Sequence, residues 1–376
     1  MSNAERIVSS QFSALGVVGP ERLPPEVVEL LTLALRRGAT DILLAVDRPP
    51  SFRVSATLTP IEELPPPGPD AIVRLAHTLL GERGIAELEQ QRDRDFAFEV
   101  TGLARFRGSF YYQRGGLALA LRLLPVSIPS LDDLGLPSIV AQLASLPRGL
   151  ILVTGPTGSG KSTALAAIVD LINVTHAKHI MTIEDPVEFV HADKLSRVEQ
   201  REVGRDTPSF SRALRSVFRQ SPDVVLIGEM RDVETIETVL SLAETGHFTL
   251  ASLHTSSCAN TIHRIIDVFP EDGQLQVRAQ LALSLEAVLS LALLPRVGSG
   301  LALATEIMIA TPAIRAMIRD GRAHQIYAAI QTGHQAGMRT MNSSLAGLVM
   351  RRQITLEDAE ARSPDVKELR QLLALS

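Results

Sequence analysis

The sequence predicts an α/β protein in two parts: a small α+β domain with an antiparallel sheet, then a core built on buried parallel strands. Three observations predict this. The chain has 376 residues, enough for two or three domains. From about residue 147 short apolar runs recur between turn signals: GLILVTG, HIMTIED, DVVLIGE and HFTLASLH. Runs apolar on both faces, with helical stretches between some of them, are how parallel strands covered on both sides read. Before residue 125, by contrast, strands follow one another through glycine turns, as in an antiparallel sheet.

The elements follow in order. Residues 1–20 read as a flexible tail. PPEVVELLTLALRRGA reads as a helix, with Pro25 near its first turn, apolar residues at helical spacing and Gly38 as its stop. DILLAV and FRVSATL read as strands separated by Arg-Pro-Pro. PPPGPD is a rigid loop, and residues 71–91 are helical. Three strands follow, DFAFEV, ARFRGSFYYQ and LALALRLLP, with turns at Gly102 and at Gly115-Gly116. The domain boundaries expected are 21–124 for this first domain, 125–137 for a linker and 138–376 for the core. The most apolar stretch, residues 281–294, is interrupted by Ser284, Glu286 and Ser290 and falls short of the ~20 residues a membrane span needs. It reads as a buried helix. The chain after Glu271 reads as mainly helical, with one further strand near GLALATEIMI.

GPTGSGKST, residues 155–163, fits G-x-x-x-x-G-K-[ST] with both glycines, the lysine and the serine in place. It follows the apolar run LILVT and opens the helical stretch STALAAIVDLIN, the context such a loop requires. Its residues Gly155, Pro156, Thr157, Gly158, Ser159, Gly160, Lys161, Ser162 and Thr163 are therefore expected to cradle phosphates. The backbone N–H groups turn inward, helped by the helix N-terminus. Lys161 is expected at the β- and γ-phosphates, and the Ser162 hydroxyl on Mg²⁺. Downstream, VVLIGE ends a strand where ligands bind in open α/β sheets. Gly228 takes the place where an aspartate usually stands, and Glu229 follows as the acid expected to reach Mg²⁺. Arg231 and Asp232 read equally as helix-start residues.

Hydrolysis needs a group that orients the attacking water. Glu184, Asp185 and Glu188 in IEDPVEF supply carboxylates, and spacing leaves Glu184 and Glu188 both open. His247 and His254 flank FTLASL and lie roughly 23 Å apart along a regular strand. Only one of them can touch a γ-phosphate. His254, at the carboxyl end, is the expected phosphate sensor; His247 is expected to be structural or at a subunit contact. Arg201 and Arg205, with Arg105, Arg107 and Arg114 of the first domain, are candidates for the cation that such sites take from within the chain or from a neighbour.

Composition narrows the classes further. A net charge of −5, a pI of about 6.0 and 4% aromatics without Trp argue against nucleic-acid binding. The single cysteine, Cys258, excludes an intrachain disulfide and a cysteine-built zinc cluster. The first residues have neither a basic region nor a long apolar core, so no signal peptide is expected. An N-K-x-D base-reading motif is missing, which argues against GTP.

Taken together, GPTGSGKST, TIEDPVEF, VVLIGEMRD and GHFTLASLHTSSCANTIHRIIDVFP resemble the secretion (traffic) ATPase superfamily. Within it, QREVGRDTPSF, IMIATPAIRAMIRD and MRTMNSSLAGLVMRRQIT resemble the branch of PilT-type pilus retraction ATPases. The similarity runs over nearly everything after about Leu35. AIRAMIRD departs from the retraction motif AIRNLIRE at Ala316, Met317 and Asp320, and His263 stands where the family usually has Asp. The lack of a four-cysteine zinc motif separates the chain from pilus-assembly ATPases.

The resemblance implies a PAS-like N-terminal domain, a RecA-like P-loop ATPase core with a helical C-terminal part, and a homo-hexameric ring with ATP held between domains and subunits. By motif position it makes Glu188 the catalytic glutamate and Glu229 the acid of the Mg²⁺ site. It implies a motor for type IV pilus retraction and twitching motility, cytoplasmic and peripherally associated with the inner membrane at the pilus base. Its implied partners are the inner-membrane pilus platform protein and a paralogous retraction ATPase. An accessory paralogue of the PilU kind and a DNA-transport or type IV secretion ATPase are the alternatives.

Overall fold

The computed structural model describes residues 17–54, 57–124 and 127–374. The tail expected at 1–20 lies outside these residues except for its end, where Val17–Val18 forms strand β1. The chain divides into two compact units at residue 127.

The first unit holds a seven-stranded sheet in the order β1-β5-β6-β7-β2-β3-β4. The strands are β2 (Asp41–Ala45), β3 (Arg48–Val54), β4 (Thr57–Pro60), β5 (Asp93–Val100), β6 (Ala104–Gln113) and β7 (Gly116–Leu124). All pairings are antiparallel except β1 with β5. Helices Pro25–Arg36 and Pro69–Gln91 share one core with the phenylalanines Phe52, Phe98, Phe106 and Phe110. Period-2 alternation explains the sidedness: Phe106 and Phe110 face that core, while Arg107 on the other face lies 3.6 Å from Asp95.

Two sequence expectations change here. Arg48-Pro49-Pro50 lies inside β3 rather than between strands, because the chain already turns at Asp47, whose φ is +58°. FRVSATL is divided between β3 and β4, which pair with Val54 opposite Thr57. Residues 55 and 56 lie outside the described residues.

The second unit holds another seven-stranded sheet, in the order β10-β9-β11-β12-β8-β13-β14. Its strands are β8 (Gly149–Thr154), β9 (His179–Glu184), β10 (Arg197–Glu202), β11 (Val224–Ile227), β12 (Phe248–Leu253), β13 (Leu285–Pro295) and β14 (Leu301–Ile309). Only β14 runs antiparallel. β8, β11 and β12 are buried along their whole length, which is why they read as unbroken apolar runs. Apolar cores lie on both faces of this sheet. Of the stretch expected as a linker, Leu131, Leu134 and Leu136 pack on one of these cores.

The expected buried helix at 281–294 is corrected. Helix Glu271–Ser284 ends as the chain enters β13, which pairs with β8 and β14 on either side. A run of apolar residues serves a buried helix or a two-sided strand equally well. Here the open edge of β8 decided.

Candidate active site

β8 sits near the middle of the sheet, between β12 and β13, and delivers the glycine-rich loop at its carboxyl end. Gly155, Gly158 and Gly160 have φ of +146°, +78° and +91°. At Gly155 a Cβ would lie 2.3 Å from Ser159 Oγ and 2.6 Å from the Leu291 carbonyl, so no other residue fits. Helix Lys161–Thr175 starts directly after the loop, and its N-cap, Gly160, supplies no side-chain acceptor. The N–H groups of its first turn therefore have no side-chain cap, which suits an anion. Ser162 is exposed on that turn.

Lys161 folds back into the loop. Its Nζ donates to the carbonyls of Gly155 (2.9 Å) and Pro156 (3.0 Å) and lies 3.4 Å from His254 Nδ1. Desolvation lowers the pKa of this ammonium, and the carboxylates of Glu229 and Glu188 oppose that shift. Two acids expected at the site thus lie close enough to act on the charge of the loop lysine.

His254 stands just beyond β12. Its Nε2 lies 3.1 Å from Glu229 Oε1. An ammonium can only donate, so Nδ1 is the acceptor toward Lys161 and the ring proton is assigned to Nε2, donating to Glu229. The other Glu229 oxygen accepts from Arg231 Nε at 2.8 Å. Of the two residues after Met230, Asp232 is the helix cap: it accepts from the Thr235 N–H at 2.8 Å. Arg231 is instead the partner of Glu229.

Gly228 has a steric reason. A Cβ there would sit 3.3 Å from both Glu184 Cα and the Ile183 carbonyl, backbone atoms of the adjacent β9. The Gly228 N–H donates to that same carbonyl at 2.8 Å, and Ser252 of β12 holds the Gly228 carbonyl. The strand end is pinned between its two neighbours, and the acid is carried by the next residue.

The two candidate carboxylates of the acidic stretch have different surroundings. Glu184 Oε1 accepts from Thr182 Oγ1 (2.6 Å) and from Gln200 Nε2 (3.2 Å). Desolvation raises its pKa to about 7, an effect that these hydrogen bonds oppose and nearby Glu188 reinforces. Glu188 is half-buried and acts electrostatically on Lys161.

The expected residues Arg201, Arg205 and His247 stand apart, and the two arginines of AIRAMIRD, Arg315 and Arg319, have separate surroundings. Arg201 is on β10, four strand spacings from β8, about 19 Å across the sheet. Its guanidinium donates to Ser216 Oγ (2.9 Å) and the Asp206 carbonyl (3.3 Å), while Arg205 is exposed in the following turn. His247 is tied to its own turn, with Nδ1 3.1 Å from the Leu242 carbonyl and its ring edge-on to Phe218. Arg315 turns inward: it donates to the carbonyls of Ala282 (2.9 Å) and Leu283 (3.0 Å) and pairs with Glu286 at 2.9 Å. It caps the end of helix Glu271–Ser284, whereas Arg319 is 60% exposed beside Asp320.

Sequence reasoning passed over Ser252 and Arg231 as supports of the Gly228–Glu229 turn. Ser252 carried one signal, a hydroxyl at the carboxyl end of a strand whose other residues, Thr249 apart, are apolar.

The family described as "Type II/IV secretion system protein" matches residues 23–301. The chain is 44% identical over 338 residues to the type IV pilus retraction ATPase PilT of Pseudomonas aeruginosa, covering 90% of this chain and 98% of that protein. It is 36% identical over 351 residues to the type IV pilus ATPase PilU of the same organism, covering 93% and 92%. A crystal structure of the pilus retraction motor PilT with bound ADP superposes with a TM-score of 0.85 at 46% identity, covering 92% of this chain and 99% of that one. The chain therefore belongs to the type II/IV secretion system protein family, among its PilT-type pilus retraction ATPases.

Proposed function

We propose that this chain is an ATP-hydrolysing motor that powers type IV pilus retraction as a homo-hexameric ring. The observation that carries the reading is the convergence of Lys161, His254 and Glu229 at the glycine loop, in a chain that matches a retraction ATPase over nearly its full length. The loop's N–H groups and Lys161 bind the phosphates. The Ser162 hydroxyl and Glu229 would hold Mg²⁺, which when bound offsets charge on the phosphate oxygens. Glu188 orients and deprotonates the attacking water; Glu184, already hydrogen-bonded to Thr182 and Gln200, is less suited to do so. His254 bridges Lys161 and Glu229 and so feels any change at either. Arg201 and Arg205, far from the loop of their own chain, serve a neighbouring subunit's nucleotide in the ring.

The motor works in the cytoplasm, peripherally at the inner membrane, against the pilus platform protein and beside a paralogous retraction ATPase. No helix among the described residues is long and apolar enough to cross a membrane, which is compatible with that placement. The higher identity to PilT than to PilU favours the motor over the accessory role.

The test is steady-state ATP hydrolysis by the purified full chain with two variants. Lys161→Ala is expected to lose nucleotide binding. Glu188→Gln is expected to bind ATP and hydrolyse it at least about a hundredfold more slowly, as loss of a general base predicts. Turnover unchanged in Lys161→Ala would place the site elsewhere, and rapid turnover in Glu188→Gln would return the role to Glu184.

A further inference from the structure

A carboxylate buried away from the nucleotide loop holds the segment that carries His254. Glu306 is on β14 and only 2% exposed. Its Oε1 accepts the backbone N–H of Cys258 at 2.7 Å. Cys258 is the first residue of helix Cys258–Asp267, four residues after His254. Burying a carboxylate is costly unless it is well hydrogen-bonded, and a helix N-terminus is where its charge is best compensated.

The segment between His254 and this helix has little freedom of its own. Thr255 Oγ1 and Thr261 Oγ1 are 2.7 Å apart, and Thr261 Oγ1 also donates to the Ser257 carbonyl at 2.8 Å. Ser257 caps the helix by accepting the Asn260 N–H. These bonds join residues 255–257 to the first turn of the helix. The turn therefore holds the three residues that lead directly from His254.

Glu306 also lies level with the nucleotide loop. Thr154, the last residue of β8, pairs in register with Ser290 of β13, and Ser290 pairs with Glu306. All three are buried, and they share the sheet face against which Cys258 packs. On the other side, β14 is bonded to the C-terminal segment around Glu306. The Thr305 N–H donates to Ser344 Oγ at 3.0 Å, and Ile307 and Arg339 exchange both backbone bonds at 2.8 and 3.0 Å. The Met341 N–H faces the Glu306 carboxylate as well.

We propose that Glu306 is a positioning residue for ATP hydrolysis: by holding the Cys258 N–H it fixes His254 against Lys161 and Glu229, and it links that setting to the C-terminal helices. This rests on the reading of the site as an ATPase. Glu306 touches neither nucleotide nor water; it acts through His254.

The experiment uses the full chain with ATP and Mg²⁺ and compares Glu306→Asp with Glu306→Gln. Aspartate keeps the charge but is one methylene short of the Cys258 N–H. Glutamine reaches it without the charge. Glu306→Asp is expected to lose about tenfold to a hundredfold in kcat with KM little changed, as a misplaced group predicts. Amide hydrogen exchange of the peptide covering residues 254–261 is expected to rise in the same variant. Glu306→Gln is expected to stay near wild type in both readouts. In the double variant Glu306→Asp/His254→Ala, the first change is expected to add nothing to the second, because both remove one function. The proposal is overturned if the two substitutions at Glu306 fall alike, if exchange at 254–261 does not change in Glu306→Asp, or if the effects multiply in the double variant. Should wild type itself fail to hydrolyse ATP, the activity reading fails, and the exchange comparison, which needs no turnover, still decides this one.

Discussion

Replacing Glu184 by glutamine is expected to stabilise the protein at neutral pH and not in acid. In the folded chain the Glu184 pKa rises from 4.5 to about 7, with desolvation as the largest cause. The folded state therefore binds this proton more tightly than the unfolded state does. Below about pH 4.5 the carboxyl is neutral in both states and its burial costs little. As the pH climbs to about 7 the unfolded chain gives up the proton and the folded chain resists, so stability falls across that window and then levels off. At 1.36 kcal/mol per pKa unit the full loss is about 3 kcal/mol. Partial solvent exposure of the residue makes this an upper bound, and a loss of about 1–3 kcal/mol is expected. Glutamine has no proton to lose and keeps an oxygen to accept the Thr182 hydroxyl. Urea unfolding of both proteins at equal chain concentration, from pH 5 to pH 8, reads the effect as the gap between their midpoints. Carboxylates that do not interact with Glu184 titrate alike in both proteins and cancel in that difference; Glu188, which does, contributes to the gap. The gap should open with rising pH in favour of glutamine. A gap that stays constant, or closes as pH rises, would refute the desolvated carboxyl.

Two further substitutions separate roles that look alike in sequence. Arg315→Ala should cost about 2 kcal/mol of stability, because it leaves the Ala282 and Leu283 carbonyls and Glu286 without their charged donor, while Arg319→Ala should leave the urea midpoint in place. Equal midpoints for the two variants would show that Arg315 is not a helix clamp. Gly228→Ala should cost about 1–3 kcal/mol, since the new Cβ meets backbone atoms of β9 that cannot yield cheaply. An unchanged midpoint would mean that β11 and β9 do not approach so closely there.

Much of this architecture is written locally. β8, β11 and β12 are buried on both faces and read as unbroken apolar runs. The turns at Gly102 and Gly115 require positive φ, and the residue type says so. The loop at 155–163 combines three such glycines with a strand before and a helix after, so its position at a strand's carboxyl end was legible from order alone. What could not be read depends on partners distant in sequence. The β13 segment reads as helix because apolar content is common to both, and the edge of β8 that recruits it is more than a hundred residues away. Arg315 and Arg319 stand one helical turn apart, yet packing against the end of helix Glu271–Ser284 turns only Arg315 inward.

The sequence by itself determined the strand order's raw material, the phosphate loop and the identity of the acids and histidines available to it, because each rests on short-range periodicity or on backbone freedom at glycine. Only the tertiary structure decided which of those groups meet. It set Glu184 against Thr182 and Gln200 and Glu188 toward Lys161, placed His254 between Lys161 and Glu229, and brought Glu306 under the helix that follows. Desolvation and hydrogen-bond partnership arise when strands far apart in sequence come within 5 Å or so of each other, and no local pattern encodes them.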